Sequence, residues 1–170
     1  MKLELKYLKG YLGTGVKMLT ISKGIFSCDP NTESLYEVTI NNITDLIRKR
    51  YHIISSKILL LPISALIQPL PDGTFPIIEL LKIADCYSFY QKDIQHCKFS
   101  EMGVYSYDEA GNEISFFEYV PTEHMFLLKY KKEYRIIHNQ LGLFEYLYSI
   151  HADHLNLIPA GLAIDKRTVV

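Results

Sequence analysis

A chain of 170 residues that is 48% hydrophobic and 22% charged carries enough apolar material for a core and too much for a disordered polypeptide. Its formal charge of −1 provides no global field to recruit nucleic acid or an anionic membrane, so any electrostatic role must reside in local patches. The length predicts one domain spanning residues 1–170.

Residues 3–9 fit a short helix or strand that Gly10, Gly13 and Gly15 break. The apolar run Val16 to Phe26 reads as a strand, Cys28 to Thr32 as a turn, and Leu35 to Ile40 as the returning strand of a hairpin. Asn42 can cap a helix over 43–50, whose last turn holds Arg48, Lys49 and Arg50, where cations suit the helix dipole. His52 to Leu61 reads as a buried strand ending at Pro62. Pro62, Pro69 and Pro71 then impose an ordered apolar loop, and Pro76 opens a short helix over 77–84 packed on two faces. Residues 85–100 have no clear pattern. Beyond them Val104–Asp108 and Glu113–Val120 flank the turn Glu109–Asn112, and Met125–Tyr130 and Tyr134–Ile137 follow. Together these predict an antiparallel meander over 102–137. Asn139 caps a C-terminal helix whose apolar stripe runs Leu143, Phe144, Leu147, Ile150 and His151. The predicted fold class is therefore α+β: an antiparallel sheet packed by the C-terminal helix and by a short helix near 76–84.

His151, Asp153 and His154 form the only cluster with reactive potential. Two imidazoles one turn apart with a carboxylate between them suit acid-base chemistry or a divalent ion, which makes a small hydrolase or metal-dependent enzyme an alternative function. The same residues also fit the rim of a core, and the His-Glu-x-x-His spacing of a metalloprotease is absent. Cys86, His96 and Cys97 lack the paired spacing of a zinc site, and Gly10–Gly15 lacks the Lys-Ser/Thr ending of a phosphate loop. No motif calls for a cofactor or a metal, and no catalytic residue is assigned.

Charge patterning is more informative. Residues 99–128 contain six carboxylates, Glu101, Asp108, Glu109, Glu113, Glu118 and Glu123, and no Lys or Arg. Tyr105, Tyr107 and Tyr119 alternate with them. Aromatics at two-residue spacing usually face a core; a Tyr-rich acidic surface, however, suits a protein partner with a basic surface, and Tyr105, Tyr107, Glu113, Glu118 and Tyr119 are the candidate binding residues. Phosphates would be repelled there, so nucleic acid is not the expected partner. The basic runs 48–50 and 129–135 leave a nucleic-acid-binding module as a further alternative. Three cysteines, no CxxC pair, no apolar leader and no apolar run of about 18 residues predict a cytoplasmic protein with reduced thiols and no membrane span.

Several segments resemble a family of small phage- and prophage-associated bacterial proteins of unknown function. They are Tyr11-Leu12 with Gly15-Val16-Lys17, Leu61-Pro62-Ile63-Ser64-Ala65-Leu66, Pro76-Ile-x-Glu79-Leu80-x-Lys82-Ile83-Ala84, Leu143-Phe144, His151-x-Asp153 and Gly161-Leu-Ala-Ile-Asp165. Where the family pattern is more often basic this chain has Leu61, where it is more often acidic Ala65, and where an aromatic commonly precedes the histidine Ile150. The resemblance carries no activity and no site residue. It implies an accessory or interaction protein, so the expected function is non-enzymatic and works through protein–protein contact.

Overall fold

Two β-sheets organise the described residues, and they draw on different parts of the sequence. The computed structural model describes residues 5–22, 32–39, 53–91, 97–100 and 103–169. In chain order the elements are α1 (Leu5–Leu8), a 3-10 turn (Lys9–Tyr11), β1 (Lys17–Ser22), β2 (Thr32–Glu37), β3 (Ile53–Leu60), a second 3-10 turn (Ile63–Ile67), α2 (Pro76–Ile83), and α3 (Tyr87–Gln91). There follow β4 (Cys97–Ser100), β5 (Gly103–Tyr107), β6 (Glu113–Val120), β7 (Met125–Tyr130), β8 (Glu133–Arg135), α4 (Gln140–Ser149), β9 (Ala163–Asp165), and a last 3-10 turn (Lys166–Thr168). They divide into two compact units, Met1–Leu61 with Tyr148–Val170, and Pro62–Leu147.

The first unit is a four-stranded sheet in the order β2-β1-β3-β9, with β9 parallel to β3 and the other pairs antiparallel. Ile58, Leu59 and Leu60 are all buried, which is what a central strand covered on both faces requires and why its sequence reads as a continuous apolar run. Leu8, Tyr11, Val16, Met18, Val38 and Leu157 join Ile58 and Leu60 in one core.

The second unit carries the predicted meander, β5-β6-β7-β8, extended by β4 into five antiparallel strands. The chain is thus α+β, with its C-terminal helix packed on an antiparallel sheet. Leu143 and Leu147 of α4 are fully buried, and the Phe144 ring meets Tyr119 at 6.2 Å and Phe126 at 5.8 Å edge to face. Gln140, in the helix's first turn, docks on β7 as a strand would. Its side-chain amide donates to the Phe126 carbonyl at 2.8 Å and accepts from the Phe126 N–H at 3.2 Å. Asn139 caps α4 as expected, accepting from the Gly142 N–H at 3.1 Å.

Some expectations change. Pro76 does open α2, but its buried residues, Pro76, Ile77, Leu80 and Leu81, form one broad stripe rather than two packed faces. The 61–73 loop contains a 3-10 turn with Ala65 and Leu66 buried. The unpatterned 85–100 stretch supplies α3 and β4. The expected turn at Cys28, the 43–50 helix with Arg48–Arg50, and His96 lie outside the described residues. Among the described residues no helix is long and apolar enough to cross a membrane.

Candidate functional site

The C-terminal cluster belongs to the first unit. Helix α4 ends at Ser149, before the two histidines, so they do not continue its stripe. His151 instead takes a left-handed conformation, φ 62°, with its N–H on the Tyr148 carbonyl at 3.0 Å. This turns the chain onto the end of β3, where the Leu61 N–H donates to His151 O at 2.8 Å and the Asp153 N–H to Leu61 O at 2.7 Å.

Each of the three side chains then holds a different piece of backbone. His151 Nε2 lies 2.8 Å from the Thr14 carbonyl, an acceptor, so this nitrogen carries the proton. Burial lowers the His151 pKa, the bond to the Thr14 carbonyl opposes this, and the Lys166 charge adds a smaller push downward. The Asp153 carboxylate accepts from the Leu157 N–H at 2.7 Å and the Ile158 N–H at 2.8 Å, capping the turn that follows it. Its burial raises the pKa more than the two bonds lower it. His154 is 3% exposed, stands edge-on to Tyr148 at 4.6 Å, and has Nδ1 3.3 Å from the Ala152 carbonyl and 3.4 Å from the Tyr11 hydroxyl. Tyr11, fully buried, donates to Ala152 O at 2.7 Å.

Tyr11 and Tyr148 were not among the sequence-derived candidates, yet they bind this cluster together, edge to face at 4.9 Å. The signal for them was the glycine before Tyr11: a Cβ on Gly10 would run into the Tyr148 ring, so only glycine allows that approach. The cluster is a clasp between residues 10–14 and 148–158. Asp153 and His154 are both buried, and among the described residues no three His, Cys, Asp or Glu side chains are grouped as a metal site would need.

The second candidate set lies on the five-stranded sheet. Register places Lys98, Tyr105, Phe116, Lys129 and Tyr134 in one cross-strand row over all five strands, on the face turned away from α4. The row is held by side-chain contacts: Tyr105 to Phe116 at 5.9 Å, Phe116 to Tyr134 edge to face at 6.1 Å, and the Lys129 ammonium over the Phe116 ring at 5.4 Å. Tyr107 follows Tyr105 on this face by alternation, and the bulge opposite Ser106 and Tyr107 brings Glu113 there as well. There the Lys98 ammonium lies 4.6 Å from the Tyr107 ring centroid, and Glu113 pairs with Lys129 at 3.2 Å. Glu118 accepts the Tyr105 hydroxyl, and burial, with this bond next, pushes the Tyr105 pKa up to about 12.

Four of the five candidate binding residues therefore share one face. The fifth, Tyr119, sits on the opposite face, 1% exposed in the core beside Phe126 and Phe144. The stretch free of Lys and Arg does not make this face uniformly acidic, because Lys98 and Lys129, just outside it in sequence, are brought in by register. Within the basic run, Lys129 is paired with Glu113 and Arg135 with Glu133. Comparison with family models, curated proteins and solved structures finds no match to this chain.

Proposed function

We propose that this chain is a non-enzymatic accessory protein that works by protein–protein contact, and that the face of the five-stranded sheet bearing Tyr105, Tyr107 and Tyr134 is its contact surface. The observation that carries the reading is the five-residue cross-strand row, in which aromatic rings and lysine stems are pre-ordered by their neighbours. Side chains already held in place lose little entropy on binding, and tyrosine is among the residues that dominate interface energies.

A partner with a basic surface remains part of the proposal, carried by Glu118 and Glu123. Among the described residues neither makes an ion pair, whereas Glu113 is already neutralised by Lys129. The resemblance to phage- and prophage-associated proteins sets this role, within the proposal, among the accessory proteins of such elements, working in the cytoplasm. No observation at His151, Asp153 and His154 favours the enzyme alternative, since each is occupied with backbone.

The test is comparative capture from host extract, with and without nuclease treatment, on immobilised wild type, Tyr107→Ala and Glu118→Lys. The expected result is a protein retained by wild type, released by salt, and lost from both variants. Equal retention by all three, or a retained species that disappears with nuclease treatment, contradicts the proposal.

A further inference from the structure

We infer that β8 is a pairing edge for a second copy of this chain, two β8 strands meeting antiparallel about a twofold axis at Tyr134. The inference does not depend on the partner proposed above: Tyr134 also belongs to that face, but the observations used here are those of the sheet's rim.

Strand β8 ends the sheet, and among the described residues no strand pairs with its other side. It joins β7 through a two-residue turn, Lys131 and Lys132, both at positive φ, 50° and 69°. In such a hairpin the residues closing the turn, Tyr130 and Glu133, exchange backbone bonds, and alternation aims the next residue's N–H and C=O outward. That residue is Tyr134. Its donor and acceptor stand on the open edge, and its ring is 68% exposed. Ile136 beside it is 82% exposed and Leu141 70%, whereas the other exposed large hydrophobics among the described residues, Leu35, Phe75 and Phe99, stay below one half. Two of the three most exposed large apolar side chains among the described residues, Tyr134 and Ile136, thus lie on or beside a strand edge with unpaired backbone.

Short edge strands flanked by lysines are also a common way for sheets to discourage association. What favours a second copy here is the sign pattern. Glu133 and Arg135 lie one residue either side of Tyr134, on the same face, and pair within the chain at 3.1 Å with both side chains more than half exposed. A twofold axis at Tyr134 sets Glu133 opposite Arg135 of the second copy and Arg135 opposite its Glu133, so both charges are matched twice. An axis at Arg135 or Glu133 would oppose like charges. The backbone and the charges therefore select the same register, with Tyr134 exchanging both backbone bonds with its counterpart at a Cα separation of about 5.5 Å.

The wild-type chain and the variants Glu133→Arg and Arg135→Glu are compared by sedimentation equilibrium from about 10 μM to 1 mM. Both substituted sites are exposed, so far-UV circular dichroism of the variants serves only to verify an intact fold. Wild type is expected to form dimers, each single variant to weaken them at least tenfold, and an equimolar mixture of the two variants to recover dimers. An intrachain effect cannot give that recovery. The double variant Glu133→Arg with Arg135→Glu, self-complementary again, is likewise expected to dimerise. A wild type that stays monomeric throughout, a dimer indifferent to both reversals, or variants that fail to recover on mixing each overturns the inference.

Discussion

Replacing Asp153 by alanine removes the acceptor for two backbone donors at once, the Leu157 and Ile158 N–H groups at 2.7 and 2.8 Å. A hydrogen bond to a charged group contributes about 1.5–3 kcal/mol, and a buried donor left without a partner costs about 1–3 kcal/mol. Burial of the carboxylate, which raises its pKa, offsets part of this, so the expected net loss is about 2–4 kcal/mol. Urea unfolding measures it, and hydrogen exchange at the Leu157 and Ile158 amides locates it. Asp153→Asn adds a test of sign. Because the folded pKa lies above the ordinary 3.8, the folded chain holds more protons than the unfolded one between the two values. Stability therefore rises as pH falls through that window, and wild type should gain on the non-titrating Asn variant in the same direction. Unchanged stability and unchanged amide protection in Asp153→Ala, or a wild type that loses ground to Asn on acidification, refutes the structural role given to this residue.

Three other outcomes follow from the packing. A Cβ on Gly103 would come within 2.7 Å of Glu118 Cα and 2.8 Å of its Cβ, so Gly103→Ala should destabilise the β5–β6 pairing by about 2 kcal/mol or more, read as a lower urea midpoint; a neutral substitution contradicts the strand approach. Gln140→Ala should cost about 1–2 kcal/mol and expose the Phe126 amide to exchange, whereas unchanged protection at Phe126 would show that the amide does not dock α4. Burial, with Asp85 adding to it, pushes the fully buried Cys86 thiol up to about 12. In a Cys28→Ser background at about pH 8 only Cys97 should react quickly with a disulfide reagent, and rapid reaction of both thiols contradicts the burial of Cys86.

The meander was legible because its signals are local. Alternation in Glu113–Val120, turn residues at Glu109–Asn112, and a single capping asparagine at Asn139 each fix a piece of geometry within a few residues. What could not be read depends on partners remote in sequence. Strand β9 is three residues long and becomes a strand only because Ala163, Ile164 and Asp165 find Ile58, Leu59 and Leu60 about a hundred positions earlier. The end of α4 was misplaced because no glycine marks it; His151 adopts the left-handed turn, held by bonds to Thr14 and Leu61. The candidate site divides in the same way. Period-two spacing brought Tyr105, Tyr107 and Tyr119 to notice, but the pairing of Tyr105 with Phe116, three residues from Tyr119, sends Tyr119 to the opposite face, and that register leaves no mark in composition. Likewise a charge count over residues 99–128 cannot show that register returns Lys98 and Lys129 to the same surface.

The proposal that the sheet face away from α4 meets a protein partner is put to the test by placing a photo-crosslinking residue at Tyr107 and, as a control, at the exposed Leu35 of β2. Irradiation in the native host should yield one discrete protein adduct from position 107, competed by salt, and none of the same mass from position 35. Identical adducts from both positions, or none from 107, would contradict the account.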